Sequence, residues 1–92
     1  MNIVWYKRAE KDLFSVFTYV ANDSITIAEK EVNRLIESIS NLETCPSMGR
    51  PGRIAGTREL IVSPYIIAYR IKFRKIQILR ILHSARKWPE KL

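Results

Sequence analysis

The order of hydrophobic periods along the chain predicts an α+β fold, β-α-α-β-β-β. A helical hairpin packs on one face of a small antiparallel sheet. Two observations carry this. Between Lys7 and Glu43 the apolar residues recur at steps of three and four, the helical period. After Gly56 the period becomes two, over three runs rich in Val, Ile and Tyr. The length of 92 residues suits a single modest core, so residues 1–92 are read as one domain.

Residues 2–6 (Asn2-Ile3-Val4-Trp5-Tyr6) are β-branched and aromatic and open the chain as a short strand. From Lys7, the spacing of Leu13, Val16, Phe17 and Val20 makes one apolar face, with Arg8, Glu10, Lys11, Asp12 and Ser15 on the other. Asn22-Asp23-Ser24 breaks this helix, and Asp23 or Ser24 can cap the next. The second helix carries the stripe Ala28, Val32, Leu35, Ile36, Ile39 and Leu42 and ends near Glu43. A loop from Thr44 to Gly52 follows. Strands are expected at Arg58–Val62, Tyr65–Lys72 and Ile76–His83, and the tail from Ser84 to Leu92 has no period.

If the last hairpin turns on Phe73-Arg74, Ile71 faces Ile76, Tyr69 faces Ile78 and Ile67 faces Arg80. One face then carries Tyr65, Ile67, Tyr69, Ile71, Ile76, Ile78 and Leu82, a core face spoiled by Arg80. The other carries Ile66, Ala68, Arg70, Lys72, Lys75, Gln77, Leu79, Ile81 and His83, an apolar strip set among basic residues. Such a surface suits a partner with apolar anchors and acidic groups. The bland alternative is that the chain's own tail, through Trp88, covers Leu79 and Ile81.

Charge is unevenly spread. The whole chain carries +7, yet residues 1–45 sum to −2. Residues 46–92 hold eleven Lys and Arg against Glu59 and Glu90 alone, giving +9. A concentrated basic surface attracts nucleic acid, acidic protein segments or anionic membrane. Cys45 and His83 are the single cysteine and histidine, too few for a usual zinc centre, and no cofactor or metal is expected. No apolar run precedes Lys7 and Arg8 at signal-peptide length, and none reaches 18 residues anywhere. A cytoplasmic protein without a membrane partner is expected. Gly49, Gly52 and Gly56 lack the spacing of a phosphate loop.

One constellation could carry chemistry: Arg58, Arg70, Arg80, His83 and Arg86. Cleavage of RNA through the ribose 2′-OH needs a base, an acid and positive charge on the phosphate. His83 could exchange the proton near neutral pH and the arginines could hold the phosphate. A second proton carrier, Tyr65, Tyr69 or a lysine, would be required.

Several stretches together resemble the RelE/ParE superfamily of toxins from bacterial type II toxin–antitoxin modules. They are Ala9-x-x-Asp12-Leu13 leading to Tyr19-Val20-Ala21, Pro46-x-x-Gly49-Arg50, Gly56-Thr57-Arg58-Glu59-Leu60, Tyr65-Ile66-Ile67-Ala68-Tyr69-Arg70, and Ile78 through Pro89. The resemblance implies that same fold and a growth-inhibiting toxin. It also implies a cognate antitoxin, acidic and partly disordered before it binds. Members like RelE cut mRNA on the ribosome, whereas members like ParE poison DNA gyrase. The long hairpin and the Leu-His-Ser-Ala-Arg-Lys-Trp-Pro ending look ParE-like, and no lysine lies between Glu31 and Ile71, where RelE-like nucleases carry theirs. The resemblance therefore implies gyrase poisoning first. A ribosome-dependent mRNA endonuclease using Arg58 and His83 is the alternative. In either case Arg70, Gln77, Leu79, Ile81, His83, Arg86 and Trp88 are expected to face the target or the antitoxin.

Overall fold

The computed structural model describes residues 1–92. Strand β1 (Asn2–Trp5) leads into helix α1 (Lys7–Ala21) and helix α2 (Ile25–Ser40), closed by a 3-10 turn over Asn41–Glu43. Strands β2 (Arg50–Pro51), β3 (Arg58–Val62), β4 (Tyr65–Lys72) and β5 (Lys75–His83) complete the chain. The sheet runs β1-β5-β4-β3-β2. It is mixed, where an antiparallel sheet was expected: β1 lies parallel to β5, from Asn2 opposite Lys75 to Trp5 opposite Ile78. The helical hairpin is long enough to carry the chain back across the sheet, which a parallel neighbour requires. The two residues of β2 come from the segment expected to be loop.

The start of α2 has a local cause. Ser24 caps α2 by accepting the Ile27 N–H at 3.2 Å. Of the four buried members of the stripe expected for the second helix, Leu35, Ile39 and Leu42 join the core with the sheet and Ala28 is buried outside it, while Ile36 stays 43% exposed. Ile36 and Val32 instead line a surface groove with Phe14 and Phe17 of α1. The expected turn between β4 and β5 is present. Phe73 (φ 53°) and Arg74 (φ 58°) both sit in the left-handed region, whose twist matches that of the flanking strands.

The core joins Ala9, Val16, Leu35, Ile39 and Leu42 to the sheet residues Leu60, Val62, Tyr65, Ile67, Tyr69, Ile76, Ile78 and Ile81. One member overturns the expected faces. Ile71 does face Ile76 and Tyr69 does face Ile78, but the next pair is Ala68 with Arg80, and Ile67 meets Ile81. A bulge leaves Leu79 without a partner, and one extra residue inverts the alternation beyond it. Ile81 therefore enters the core, and Leu82 leaves the face expected for it. Arg80 is drawn to Asp12 of α1, which accepts from its Nε at 2.7 Å and from a terminal nitrogen at 3.1 Å. The same carboxylate accepts the Ile81 N–H at 2.9 Å, so α1 seals β5 where β1 has ended.

The far face of the sheet is not open. Ile66, Ala68, Leu79 and Leu82 are buried there. Leu79 borders a hollow whose rim includes Ile54–Thr57 and the terminal Glu90, Lys91 and Leu92. Arg8 donates to the Leu92 carbonyl at 3.0 Å. Trp88 lies under the Arg53 guanidinium, 3.7 Å from ring centre to carbon. The bland alternative therefore holds for Leu79, which the end of the tail borders, but not for Ile81, which is buried in the core on the other face.

Candidate functional site

Most of the arginines that make the second half basic are committed to the fold. Glu59 is 2% exposed and anchors two of them. Its carboxylate accepts from Arg50 at 2.9 Å, from the Arg53 side chain at 3.0 Å and from the Arg53 N–H at 2.9 Å. Burial works against its charge. The Arg53 side chain and N–H and then Arg50 outweigh burial, and they hold the carboxyl down to about 2. Arg70 bonds Gln77 and the Tyr6 hydroxyl, and Arg80 bonds Asp12. Arg74 and Arg86 are the arginines whose guanidinium groups make no hydrogen bond within the chain.

Arg58 works as a loop clamp. It donates to the Gly49 carbonyl at 2.7 Å and to the Ser47 carbonyl at 3.4 Å. Beside it the Tyr69 hydroxyl accepts the Gly49 N–H at 2.9 Å and donates to the Pro46 carbonyl at 2.7 Å. Tyr69 is fully buried, and burial pushes its phenol up, so it stays a neutral hydroxyl able to do both. The glycine of the Pro46-x-x-Gly49-Arg50 stretch has a steric cause. A Cβ at Gly49 would stand 2.7 Å from the Tyr69 ring and hydroxyl and 3.0 Å from the Glu59 carbonyl. Tyr69→Phe is expected to cost about 2 kcal/mol, because it orphans a buried N–H and weakens the hold on the loop. Urea unfolding of the two proteins measures this, and equal midpoints would show that water replaces the hydroxyl.

His83 lies elsewhere. It pairs with Tyr65 across β4–β5, and Arg58 pairs with Tyr69 across β3–β4. Four residues of β4 separate the two positions, about 13 Å along the strand, and they flank β4 on opposite sides. The structure thus keeps apart the two residues considered for catalysis. It brings His83 to Tyr65, ring centres 5.6 Å apart and edge to face. Burial pushes the Tyr65 phenol up as well. With Ile81 in the core and His83 beside Tyr65, neither occupies the far face expected for them. Arg70, Gln77 and Leu79 do lie on that face, where Arg70 and Leu79 border the hollow rimmed by Glu90, Lys91 and Leu92, and Gln77 bonds Arg70. Arg86 is exposed on the turn after β5.

Around His83 is a cleft of about 520 Å³. Its walls come from α1 (Asp12, Ser15, Tyr19), the β3–β4 turn (Pro64), Tyr65, and Ala85 with Arg86. The sequence marks His83 and Arg86 as site candidates, but Ser15 only as part of a polar helix face and Tyr19 only as part of a resembling stretch. The i, i+4 spacing of Ser15 and Tyr19 is the signal that puts both on one side of α1.

Residues 3–88 match the family model described as the ParE toxin of the type II toxin–antitoxin system parDE. The chain is 39% identical over 92 residues to toxin Y4kP of Sinorhizobium fredii, covering 98% of this chain and 95% of that protein. It is 31% identical over 84 residues to toxin RelE2 of Caulobacter vibrioides, covering 91% and 96% respectively. Among solved structures it resembles the chromosomal ParDE toxin–antitoxin system of P. aeruginosa. There the TM-score is 0.81 and the identity 31%, over 90% of this chain and 95% of that one. The toxin–antitoxin complex RelBE2 of Mycobacterium tuberculosis shares the fold at a TM-score of 0.68 and 22% identity, over 89% and 95%.

Proposed function

From the premise that this chain belongs to the ParE toxin family, within the RelE/ParE superfamily, and is the toxin of a type II toxin–antitoxin module, we propose that it inhibits growth by poisoning DNA gyrase and is neutralised by a cognate antitoxin. The observation that carries the choice of gyrase over translated mRNA is the separation of Arg58 from His83. The backbone positions of the two residues stand about 13 Å apart along β4 and on opposite sides of it, so the strand does not set the imidazole beside a phosphate held at Arg58. Arg58 is moreover spent on the Ser47 and Gly49 carbonyls, whose release would loosen the loop it holds. The absence of lysine between Glu31 and Ile71 points the same way.

Purified toxin is expected to inhibit gyrase supercoiling of a relaxed plasmid and to raise gyrase-dependent DNA cleavage. The antitoxin should reverse both effects. Primer extension on translated mRNA in the same extract should show no codon-positioned cuts. Unimpaired supercoiling together with such cuts would replace gyrase by the ribosome as the target.

A further inference from the structure

We propose that the cleft around His83 is a receptor for a carboxylate side chain with an adjoining aliphatic residue, presented by an acidic partner peptide. Its free donors converge from two directions. His83 Nδ1 accepts the Ala85 N–H at 3.1 Å, which assigns the ring proton to Nε2 and leaves Nε2–H as a free donor. The Ser84 N–H bonds the Pro64 carbonyl at 2.8 Å and the Arg86 N–H bonds the His83 carbonyl at 3.0 Å. The turn that carries His83 and Arg86 is therefore fixed against the β3–β4 turn. Arg86 has no ion pair and no side-chain hydrogen bond, and the hydroxyls of Ser15 and Tyr19 are free across the cleft.

The only acid in the lining is Asp12, and both of its oxygens are taken by Arg80 and the Ile81 N–H. What remains is one guanidinium, one imidazole N–H and the hydroxyls of Ser15, Tyr19 and Tyr65 above an apolar floor of Val16, Pro64, the Tyr65 ring and Ile81. A single guanidinium matches a single carboxylate, whereas a phosphodiester strand or a phosphate dianion would need more cationic partners. The apolar floor supplies contact for the next side chain of the same peptide, which a bare anion would leave unused.

The inference rests on the toxin–antitoxin reading only for who presents the peptide. The cleft can be tested without that partner. The probes are acetyl-Glu-Leu-amide, acetyl-Gln-Leu-amide, inorganic phosphate and adenosine monophosphate, each titrated into the full-length protein and followed by nitrogen–proton NMR. The Glu peptide is expected to shift the His83 ring, Ala85 and Arg86 resonances, with an affinity at least about tenfold above that of the Gln peptide. Arg86→Gln, on an exposed side chain, should reduce the Glu peptide to the level of the Gln peptide, and His83→Ala should do the same. Equal binding of the two peptides, or no shift at these residues, overturns the proposal. Shifts by phosphate or the nucleotide but not by the Glu peptide overturn it in favour of a phosphate site. Because gyrase inhibition and its reversal by antitoxin are measured separately, failure here leaves the toxin reading intact, and the converse also holds.

Discussion

Asp12→Ala is expected to lower the free energy of unfolding by about 3 kcal/mol. The carboxylate carries three bonds, two from Arg80 and one from the Ile81 N–H. Both side chains are less than a fifth exposed, so neither charge is well hydrated once its partner is gone. In the parent the Arg80–Asp12 bond raises the guanidinium pKa against the effect of burial. Without Asp12 the guanidinium still keeps its proton, because its ordinary value lies far above neutral, and it is left charged and unpaired. The Ile81 N–H is orphaned at the same time, because β1 pairs with β5 no further than Ile78. Asp12→Asn keeps an acceptor for that N–H and should lose distinctly less. Urea unfolding measures both losses, and hydrogen exchange at Ile81 locates them. Exchange at Ile81 unchanged in Asp12→Ala would mean that the edge of β5 is closed by something other than α1.

That ion pair also explains where sequence reading of the fold stopped. The two helices and three longer strands were legible because each buries one face against a common core, and burial writes its period into the sequence. Leu35 and Ile39 on α2, and Ile67 and Tyr69 on β4, are such positions. The β4–β5 register was legible near its turn, where two left-handed residues fix it. It was lost at Leu79, because a bulge adds a residue without any mark in composition. Asp12 supplies the reason that the bulge is tolerated there, and it lies 68 residues away from Arg80 in the chain. The parallel pairing of β1 is of the same kind: Ile3 and Trp5 read as a strand, but no local signal chooses β5 as their neighbour. For the candidate site, His83 and Arg86 could be picked out by residue type, whereas the roles of Arg58 and Tyr69 as loop clamps depend on carbonyls that carry no sequence identity.

The second large effect concerns the face that the tail covers. Glu59→Gln is expected to cost about 2 kcal/mol near neutral pH and to flatten the acid dependence of stability. The carboxyl is held at about 2 against an ordinary 4.5. Between those values the unfolded chain binds the proton and the folded chain does not, so acid favours unfolding. The contribution is complete above about pH 4.5 and fades as pH falls toward 2. A shift of this size corresponds to about 3 kcal/mol, reduced because Arg50 and Arg53 are half exposed and their pairing is screened. The glutamine variant lacks the titrating group, so its stability should fall less steeply between pH 5 and pH 3 than that of the parent. A parallel decline in the two proteins would assign the acid sensitivity to other carboxyl groups. The substitution also reaches the far face of the sheet. Arg53 is held by Glu59 on one side and stacks on Trp88 on the other. With its anchor weakened, the guanidinium should leave the indole, and the tail from Ser84 to Leu92 should loosen over Leu79. In a Trp5→Phe background, Trp88 is the sole tryptophan, and its emission should move to the red in Glu59→Gln as water reaches the ring. An unshifted emission with the stability loss intact would show that the tail is held by Arg8 at the Leu92 carbonyl rather than by the stack on Arg53.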